Sequence, residues 1–220
     1  MEKKFQSRAH AGRLLAQWLE GLRGRDPLVL ALPPGGTPVA AEIAAHLGAP
    51  LDVVVVKKLG TPGREALGLG ALVNGVQLLD HALIDRLGVL PEELSQVSAE
   101  AARVVAERTT RYRSGRPFPR VEGRTVILVD DGVATGATLR AVAQSLRGRQ
   151  PARVVAAIPV APTSTLEELR DEPALDEVVC PIPQELFYGV ARAYEQLPAV
   201  SDEEVVALLR EAQAARAGAG

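Results

Sequence analysis

Runs of apolar residues, separated by polar or glycine- and proline-rich turns, divide the first part of the chain into strands and helices. Unbroken runs at 28–32 and 53–56 predict two buried strands, because such runs are typical of strands covered on both faces. Apolar residues at helical spacing predict a helix at 38–47 between them. Another helix, capped by Ser7 and ended by Gly24, precedes the first strand. This order is that of a parallel β-α-β unit.

The same alternation returns in the second half of the chain. The pattern predicts three more buried strands and two more helices: strands at 126–129, 154–160 and 177–180, a helix at 139–146, and a helix from Thr163 or Ser164 to about Arg170. A final amphipathic helix is expected at 202–215, with Ser201 as its cap. Together these elements predict an α/β fold, a doubly wound and mostly parallel five-stranded sheet with flanking helices.

The segment 61–120 departs from this rhythm. Its Asn74-Gly75 pair, between two apolar stretches, is the strongest short hairpin signal. Two helices, at 82–87 and from Pro91 to about Arg113, follow it, and their charge density predicts a solvated excursion. We therefore expect one domain over 1–220 with an inserted hairpin and helices at 61–120.

Composition narrows the class of protein. The 220 residues are 47% hydrophobic and 24% charged, with a net charge of −2, which is typical of a soluble globular protein. This charge gives no bulk attraction to nucleic acid or to a membrane, and no apolar run reaches spanning length. The single cysteine, Cys180, excludes an intrachain disulfide and agrees with a reducing cytoplasm. It lies in an apolar run, so we interpret it as a buried, unreactive thiol.

The loop after the run 126–129 carries the most specific chemistry. Two carboxylates, Asp130 and Asp131, are followed by small residues and then by Thr135-Gly136-Ala137-Thr138 at the start of a helix. Small side chains let backbone N–H groups approach a ligand, and the positive end of the helix dipole favours a phosphate there. The carboxylates can accept hydrogen bonds from vicinal hydroxyls. Phosphate beside a diol indicates a sugar phosphate.

Two other types of loop also follow a strand and precede a helix. A plain strand-to-helix turn, with a Ser/Thr cap and acidic residues at the strand end, would need no ligand. A Walker A loop is excluded, because no Gly-Lys-Ser/Thr follows the glycine.

The order of residues resembles the ribose-phosphate loop of the type I phosphoribosyltransferases. The resemblance implies transfer of 5-phosphoribose from phosphoribosyl diphosphate to a nitrogenous base or amine, with release of diphosphate, as in nucleotide salvage. It implies that Asp130 and Asp131 are catalytic and hold the ribose hydroxyls. The expected 5-phosphate site is Ala134, Thr135, Gly136, Ala137 and Thr138. Mg²⁺ is the implied cofactor, held mainly by substrate and water, with no direct protein ligand predicted.

The turn after the first strand resembles the diphosphate loop of the same family. Its predicted binding residues are Pro34, Gly35, Gly36 and Thr37. Family members often carry Lys or Arg before the glycines, where this chain has Pro34. In the family the peptide at this turn is often cis, so we predict a cis Pro33–Pro34 bond.

Lys57 and Lys58 follow the second predicted strand directly, which leaves open a plain solvated strand end. The resemblance implies that both bind diphosphate and that Lys58 is catalytic, by stabilising charge on the leaving group. The loops 33–37, 57–65 and 130–138 should then converge beyond the carboxyl ends of the strands.

The resemblance assigns the acceptor to a small hood, here 181–220 with the C-terminal helix. Phe187 and Tyr188 are candidates for stacking on a base, and core packing is the alternative. Ala134 stands where the hypoxanthine-guanine enzymes carry an Asp, which looks more like the adenine, orotate and uracil enzymes. The acceptor is therefore undetermined.

Two rival functions stay open at this point. One is a non-catalytic regulator that binds phosphoribosyl diphosphate or a nucleotide. The other is an unrelated nucleotide binder on the same scaffold, since a fold does not fix a function. Small-molecule substrates are the expected partners, with no nucleic acid and no membrane, and association as a homodimer is left open.

Overall fold

A computed structural model describes residues 4–61 and 64–218. The chain forms two compact units: one comprises the chain up to Val53 and from Phe118 onward, and the other comprises Val54–Pro117.

The elements are numbered along the chain. The strands are β1 (Pro27–Ala31), β2 (Leu51–Val53), β3 (Val56–Thr61), β4 (Arg64–Val73), β5 (Val76–Leu79), β6 (Thr125–Val129), β7 (Arg153–Ala157), β8 (Val160–Pro162), β9 (Glu177–Val179) and β10 (Ile182–Gln184). The helices are α1 (Arg8–Trp18), α2 (Gly36–Leu47), α3 (His81–Leu87), α4 (Pro91–Arg113), α5 (Ala137–Arg147), α6 (Thr163–Arg170) and α7 (Asp202–Ala217), with short 3-10 helices at Glu20–Leu22 and Val190–Ala193.

The first unit is built on a five-stranded sheet in the order β2-β1-β6-β7-β9. Every pairing in it is parallel. All residues of β1 and β6 are buried, because helices cover both faces, and this explains their continuous apolar runs. The predicted five-stranded α/β sheet is confirmed.

The register of β1 and β6 positions the loops that follow them. Ala31 pairs with Val129, so the two neighbouring strands end at the same level of the sheet. Helix α2 begins five residues after β1, and α5 begins after the loop that follows β6. The segments 33–37 and 130–138 therefore leave adjacent strand ends on the same edge.

Two of the predicted N-caps form, whereas α1 ends at Trp18 with Leu19 as its C-cap and not at Gly24. The Ser7 hydroxyl accepts from the amide of His10 at the start of α1, and the Ser201 hydroxyl accepts from the amide of Glu204 at the start of α7. Neither Thr163 nor Ser164 caps α6, whose N-cap position is Pro162 without a side-chain hydrogen bond.

The prediction of one strand at 53–56 is wrong. Val53 ends β2 of the parallel sheet, Val54 and Val55 are buried outside any strand, and Val56 begins β3 of an antiparallel sheet. The apolar run is continuous because Val53, Val54 and Val55 are all buried where the chain leaves one sheet and enters the other. The sequence alone therefore gives no sign of the change of sheet.

Lys57 and Lys58 consequently do not end a strand. They lie inside β3 and are exposed. The expected loop 57–65 is mostly strand: residues 57–61 belong to β3 and 64–65 to β4, while 62–63 lie outside the described residues.

The second unit carries the sheet β3-β4-β5, which is antiparallel. The predicted hairpin is confirmed: Asn74 and Gly75 have φ of 47° and 86° between β4 and β5. Helices α3 and α4 also form where the sequence placed them. The boundaries of the insertion, 61–120, stay a prediction.

The predicted strand at 154–160 is divided. Strand β7 ends at Ala157, and after Pro159 the chain continues as β8, which pairs with β10 in a small parallel sheet. Proline has no N–H to donate to a ladder, which accounts for the break. Strand β10 was not predicted, and the assignment of 181–220 as a hood stays a prediction.

Candidate functional site

The turn after β1 lies directly against the acidic pair after β6. A Cβ added at Gly35 would overlap Oδ2 of Asp131 and lie 2.8 Å from its Cγ, and one added at Gly36 would lie 2.6 Å from the carbonyl oxygen of Val129. Real Cβ atoms do not approach this closely, so only glycine permits the contact. The structure thus brings two of the three predicted loops together.

The turn after β1 has the predicted cis Pro33–Pro34 bond. The amide of Gly36 donates to the carbonyl of Leu32 (3.0 Å), and that of Thr37 donates to the carbonyl of Pro34 (3.2 Å). The amide of Gly35, by contrast, has no acceptor among the described residues.

Thr37 is fully buried, and its Oγ1 has no hydrogen-bond partner among the described residues. In this conformation, therefore, neither the amides of Gly36 and Thr37 nor the Thr37 hydroxyl faces outward. Pro34 is exposed and Gly35 is partly exposed. The diphosphate roles of these four residues stay predictions.

An arginine that sequence reasoning missed holds one member of the acidic pair. Arg8, the first residue of α1, donates from Nε to Oδ2 of Asp131 (2.8 Å), and its Nη2 lies 2.7 Å from the same oxygen. Both side chains are mostly buried, at 12% and 16% exposure. Nη1 of Arg8 donates to the carbonyl of Pro198 (2.5 Å). The guanidinium of Arg8 therefore links Asp131 to the segment that contains Pro198.

A tyrosine holds the backbone of the same aspartate. The Tyr194 hydroxyl donates to the carbonyl oxygen of Asp131 (2.5 Å), and burial raises the pKa of this phenol above its usual range. Tyr194 packs on Phe5, with ring centroids 5.4 Å apart. The amide of Phe5 donates to Ala193, and the amide of Glu195 donates back to Phe5, both at 2.8 Å. The segments around Phe5 and around Tyr194 are thus joined to each other, and Tyr194 holds Asp131.

The other aspartate lies in a different environment. Burial, followed by the negative charge of Asp131, raises the pKa of Asp130 well above its ordinary value. Its Oδ1 accepts from the amide of Asp131 (2.9 Å). The adjacent carboxylates are therefore unequal: Asp131 faces a cation, and Asp130 is the one that favours a proton.

The small-residue loop contains backbone amides without a protein acceptor. Ala134, Thr135 and Ala137 are exposed, and Gly136 adopts the left-handed conformation with φ 69° just before α5. Among the described residues, no protein acceptor takes the amides of residues 134–138. Unpaired amides at a helix N-terminus form an anion site. The predicted 5-phosphate residues thus lie in one loop, in which Thr138 is half-buried and Gly136 is buried, and their role stays a prediction.

The remaining candidates are two lysines of the second unit and an aromatic pair of the first. Lys57 and Lys58 belong to the second unit, and their roles stay predictions. Phe187 is half-buried and packs on the cluster around Phe5 and Tyr194, whereas Tyr188 is 73% exposed. Of the aromatic pair, Tyr188 is the one whose ring is free to stack on a ligand.

Other chemistry is limited in the described part of the chain. Residues 4–61 and 64–218 hold no group of three or more His, Cys, Asp or Glu side chains suited to a metal. No described helix has the length and apolarity needed to cross a membrane. Burial raises the pKa of Cys180 to about 11, which agrees with an unreactive thiol.

Comparison with known proteins identifies the class that this fold and site define. The phosphoribosyl transferase domain family matches residues 3–178. The chain therefore belongs to the phosphoribosyl transferase domain family, a family of transferases, and the match leaves the acceptor unspecified.

Individual relatives agree with this family. Two proteins of Mycobacterium tuberculosis, from strains CDC 1551 / Oshkosh and ATCC 25618 / H37Rv, are provisionally named phosphoribosyl transferases, and each is 40% identical over 219 residues. The match covers 99% of this chain and 49% of each relative, so the chain spans about half their length. The crystal structure of the protein TT1426 from Thermus thermophilus is also 40% identical, with a TM-score of 0.82 over 94% of this chain and 98% of that one.

Proposed function

We propose that the domain transfers 5-phosphoribose from phosphoribosyl diphosphate to a nitrogenous base or amine acceptor and releases diphosphate. One observation carries the proposal. A loop of unpaired amides and an acidic pair follow the same strand, and a glycine turn on the neighbouring strand touches that pair. Phosphate, diol and leaving-group sites are needed side by side for this substrate, and this edge of the sheet offers groups suited to each.

Each group has a distinct proposed task. The amides of 134–138 and the hydroxyls of Thr135 and Thr138 bind the 5-phosphate. Asp130 and Asp131 accept hydrogen bonds from the ribose hydroxyls. Gly35 receives the diphosphate, and the diphosphate roles of Lys57 and Lys58 remain separate proposals for the second unit. Breaking the bond at the anomeric carbon leaves positive charge on the ribose, which the nearby carboxylates stabilise, while the acceptor nitrogen attacks.

Magnesium fits this donor set in a limited way. Among the described residues, no group of three or more His, Cys, Asp or Glu side chains is suited to a metal. The proposal keeps the ion held mainly by substrate oxygens and water, with no direct protein ligand. When bound, the ion would neutralise charge on the diphosphate. The proposed role of the protein is to orient the ribose hydroxyls beside it.

The acceptor is assigned only by class. Ala134 leaves position 134, where the hypoxanthine-guanine enzymes carry an Asp, without a carboxylate that could take a proton from a base. Exposed Tyr188 is the proposed stacking partner. A nitrogenous base without a hypoxanthine-guanine type of proton transfer is therefore the first acceptor class to test.

The decisive experiment is an acceptor screen with labelled phosphoribosyl diphosphate and Mg²⁺, read by diphosphate release. Acceptor-dependent release that is lost when both aspartates are replaced by Asn supports the transferase. Tight binding of phosphoribosyl diphosphate without release for any acceptor indicates the regulator instead. Failure to bind it at all indicates an unrelated nucleotide binder. A cytoplasmic location and a homodimeric state stay predictions.

A further inference from the structure

Side chains outside the recognised motif hold backbone carbonyl groups of the small-residue loop 134–138, the proposed phosphate loop. The Thr165 hydroxyl donates to the carbonyl oxygen of Ala134 at 2.8 Å. Thr165 is only 6% exposed and lies in the first turn of α6. It is the third residue of α6, whose N-cap position is Pro162 without a side-chain hydrogen bond. The hydroxyl is committed to the loop.

A guanidinium holds the next carbonyl in the same way. Nη2 of Arg140 donates to the carbonyl oxygen of Thr135 (2.9 Å), and its Nη1 donates to Glu168 on α6 (3.2 Å). The backbone amide of Arg140 takes the following carbonyl, that of Gly136 (2.9 Å). Three consecutive carbonyl groups of the loop are therefore all turned toward the protein.

The planarity of the peptide unit converts this into an orientation of the amides. In a trans peptide, the C=O of one residue and the N–H of the next point in opposite directions. The fixed carbonyl of Ala134 therefore turns the amide of Thr135 away from Thr165. The fixed carbonyl of Thr135 likewise turns the amide of Gly136 away from the guanidinium of Arg140. These are two of the unpaired amides described above.

We propose that Thr165 and Arg140 are positioning residues that aim the amides of Thr135 and Gly136 at the 5-phosphate. The proposal rests on the proposed function of this loop. Neither side chain needs to touch the ligand, because each acts through the peptide unit whose carbonyl it holds. Glu168 supports Arg140, so helix α6 becomes the platform of the phosphate site. Preorganised donors bind a charge more strongly because they need not reorient.

The chain offers a matched control for each residue. Ser164 is the exposed neighbour of Thr165 in the same helical turn. Arg147 lies on α5 like Arg140, and it likewise donates to a backbone carbonyl, that of Ala174, and to a carboxylate, that of Asp176. Loss of the Arg147 side chain costs contacts similar to those of Arg140 without touching the phosphate loop, and loss of the Ser164 hydroxyl changes the same helical turn as Thr165 at an exposed position.

The test measures binding of ribose 5-phosphate and of inorganic phosphate by calorimetry. We expect Thr165→Val and Arg140→Met to weaken both about 2- to 10-fold, which corresponds to one lost hydrogen bond. Thr165→Ser, which keeps the hydroxyl, should restore wild-type affinity. Ser164→Ala and Arg147→Met should bind like wild type.

Amide chemical shifts give a readout that a purely structural role would not move. Ligand should shift the amide signals of Thr135 and Gly136 in wild type. Thr165→Val should reduce the shift at Thr135, and Arg140→Met the shift at Gly136. If wild type binds but the two variants match their controls, the inference is overturned while the phosphate site stands. If wild type binds neither ligand, the proposed function fails and the inference with it.

Discussion

Gly35 shows how a single residue sets the distance between two loops. Asp131 occupies the space where any side chain at position 35 would begin, since an ideal Cβ there overlaps Oδ2 and lies 2.8 Å from Cγ. The glycine is therefore needed for close approach, and its φ is an ordinary one of −63°.

Gly35→Ala should consequently impair catalysis more than folding. The added methyl group must displace the Asp131 carboxylate, and a displacement of about 1 Å at a reacting centre costs about 10²-fold in rate. We expect kcat/KM for phosphoribosyl diphosphate to fall by about that factor. Gly21→Ala is the control, because a Cβ there meets nothing within 4 Å. Equal activity of the two variants would show that Asp131 tolerates the move.

Asp130 gives a pH-dependent prediction. Its folded-state pKa lies above the ordinary 3.8, so below that pH both folded and unfolded chains are protonated and folding bears no cost. As pH rises through the folded pKa, this half-buried carboxyl must ionise beside the charge of Asp131, and stability is lost. Asp130→Asn removes this loss, so its melting temperature should exceed that of wild type at pH 8, with the difference shrinking toward pH 4.

Asp131→Asn is the matched comparison for that series. It removes the carboxylate that pairs with Arg8, so it should lower the melting temperature at pH 8. Both variants should bind phosphoribosyl diphosphate more weakly, by about 1.5–3 kcal/mol per charged hydrogen bond lost. A pH-independent stability difference for Asp130→Asn would contradict the raised pKa.

The sequence revealed the acidic pair and the small-residue loop because these residues are contiguous. Arg8 and Asp131 are 123 positions apart, and nothing in a single sequence pairs them. A weak signal did exist: a cation in the first turn of a helix is unfavourable for the helix dipole, so Arg8 at the start of α1 called for another partner. Thr165 gave no signal, since threonine is common near helix starts.

At the scale of elements, the start of α1 is a structural support of the site. Arg8→Met should leave Asp131 without its cation and should lower the free energy of unfolding by about 1.5–3 kcal/mol. It should also weaken binding of phosphoribosyl diphosphate, because Asp131 loses its fixed position. Chemical denaturation and ligand titration measure the two effects.

Arg13→Met provides the control on the same helix. Arg13 pairs with Glu42 across an exposed surface, with side chains 56% and 31% exposed, so its loss should cost less than about 1 kcal/mol. If the two variants lose equal stability and bind equally well, the ion pair of Arg8 has no role in positioning Asp131.

Element types were predictable where one environment persists along a segment. Strands β1 and β6 are buried throughout and α4 keeps one exposed face, so their patterns are uniform. Prediction failed at 53–56 because the chain passes between two sheets while staying buried. It also missed β10, whose sequence Ile-Pro-Gln is too short and contains a proline.

At the scale of the whole molecule, the parallel sheet explains why the sequence was enough to predict which edge of the sheet carries the candidate site. Ligands of such sheets bind beyond the carboxyl ends of the strands, and the β1–β6 register brings two loops to one edge. The acceptor could not be predicted, because Tyr188, the proposed stacking partner, lies in an irregular segment where the sequence pattern is weakest. The length of the curated relatives, about twice that of this chain, adds a reason to treat substrate choice as a proposal.

Ligand binding at the proposed site should stabilise the folded chain as a whole. At 100 times its Kd, a ligand specific for the folded state adds about 2.7 kcal/mol, which for a domain of this size raises Tm by roughly 5–11 °C. We expect that shift with phosphoribosyl diphosphate and Mg²⁺, and a smaller one when the cation is chelated, because the proposed site relies on the metal to neutralise the diphosphate. Replacing both Asp130 and Asp131 by Asn should abolish most of the shift. An unchanged shift in that variant would place the ligand away from the acidic pair, whereas a shift with ribose 5-phosphate alone would isolate the contribution of the phosphate loop.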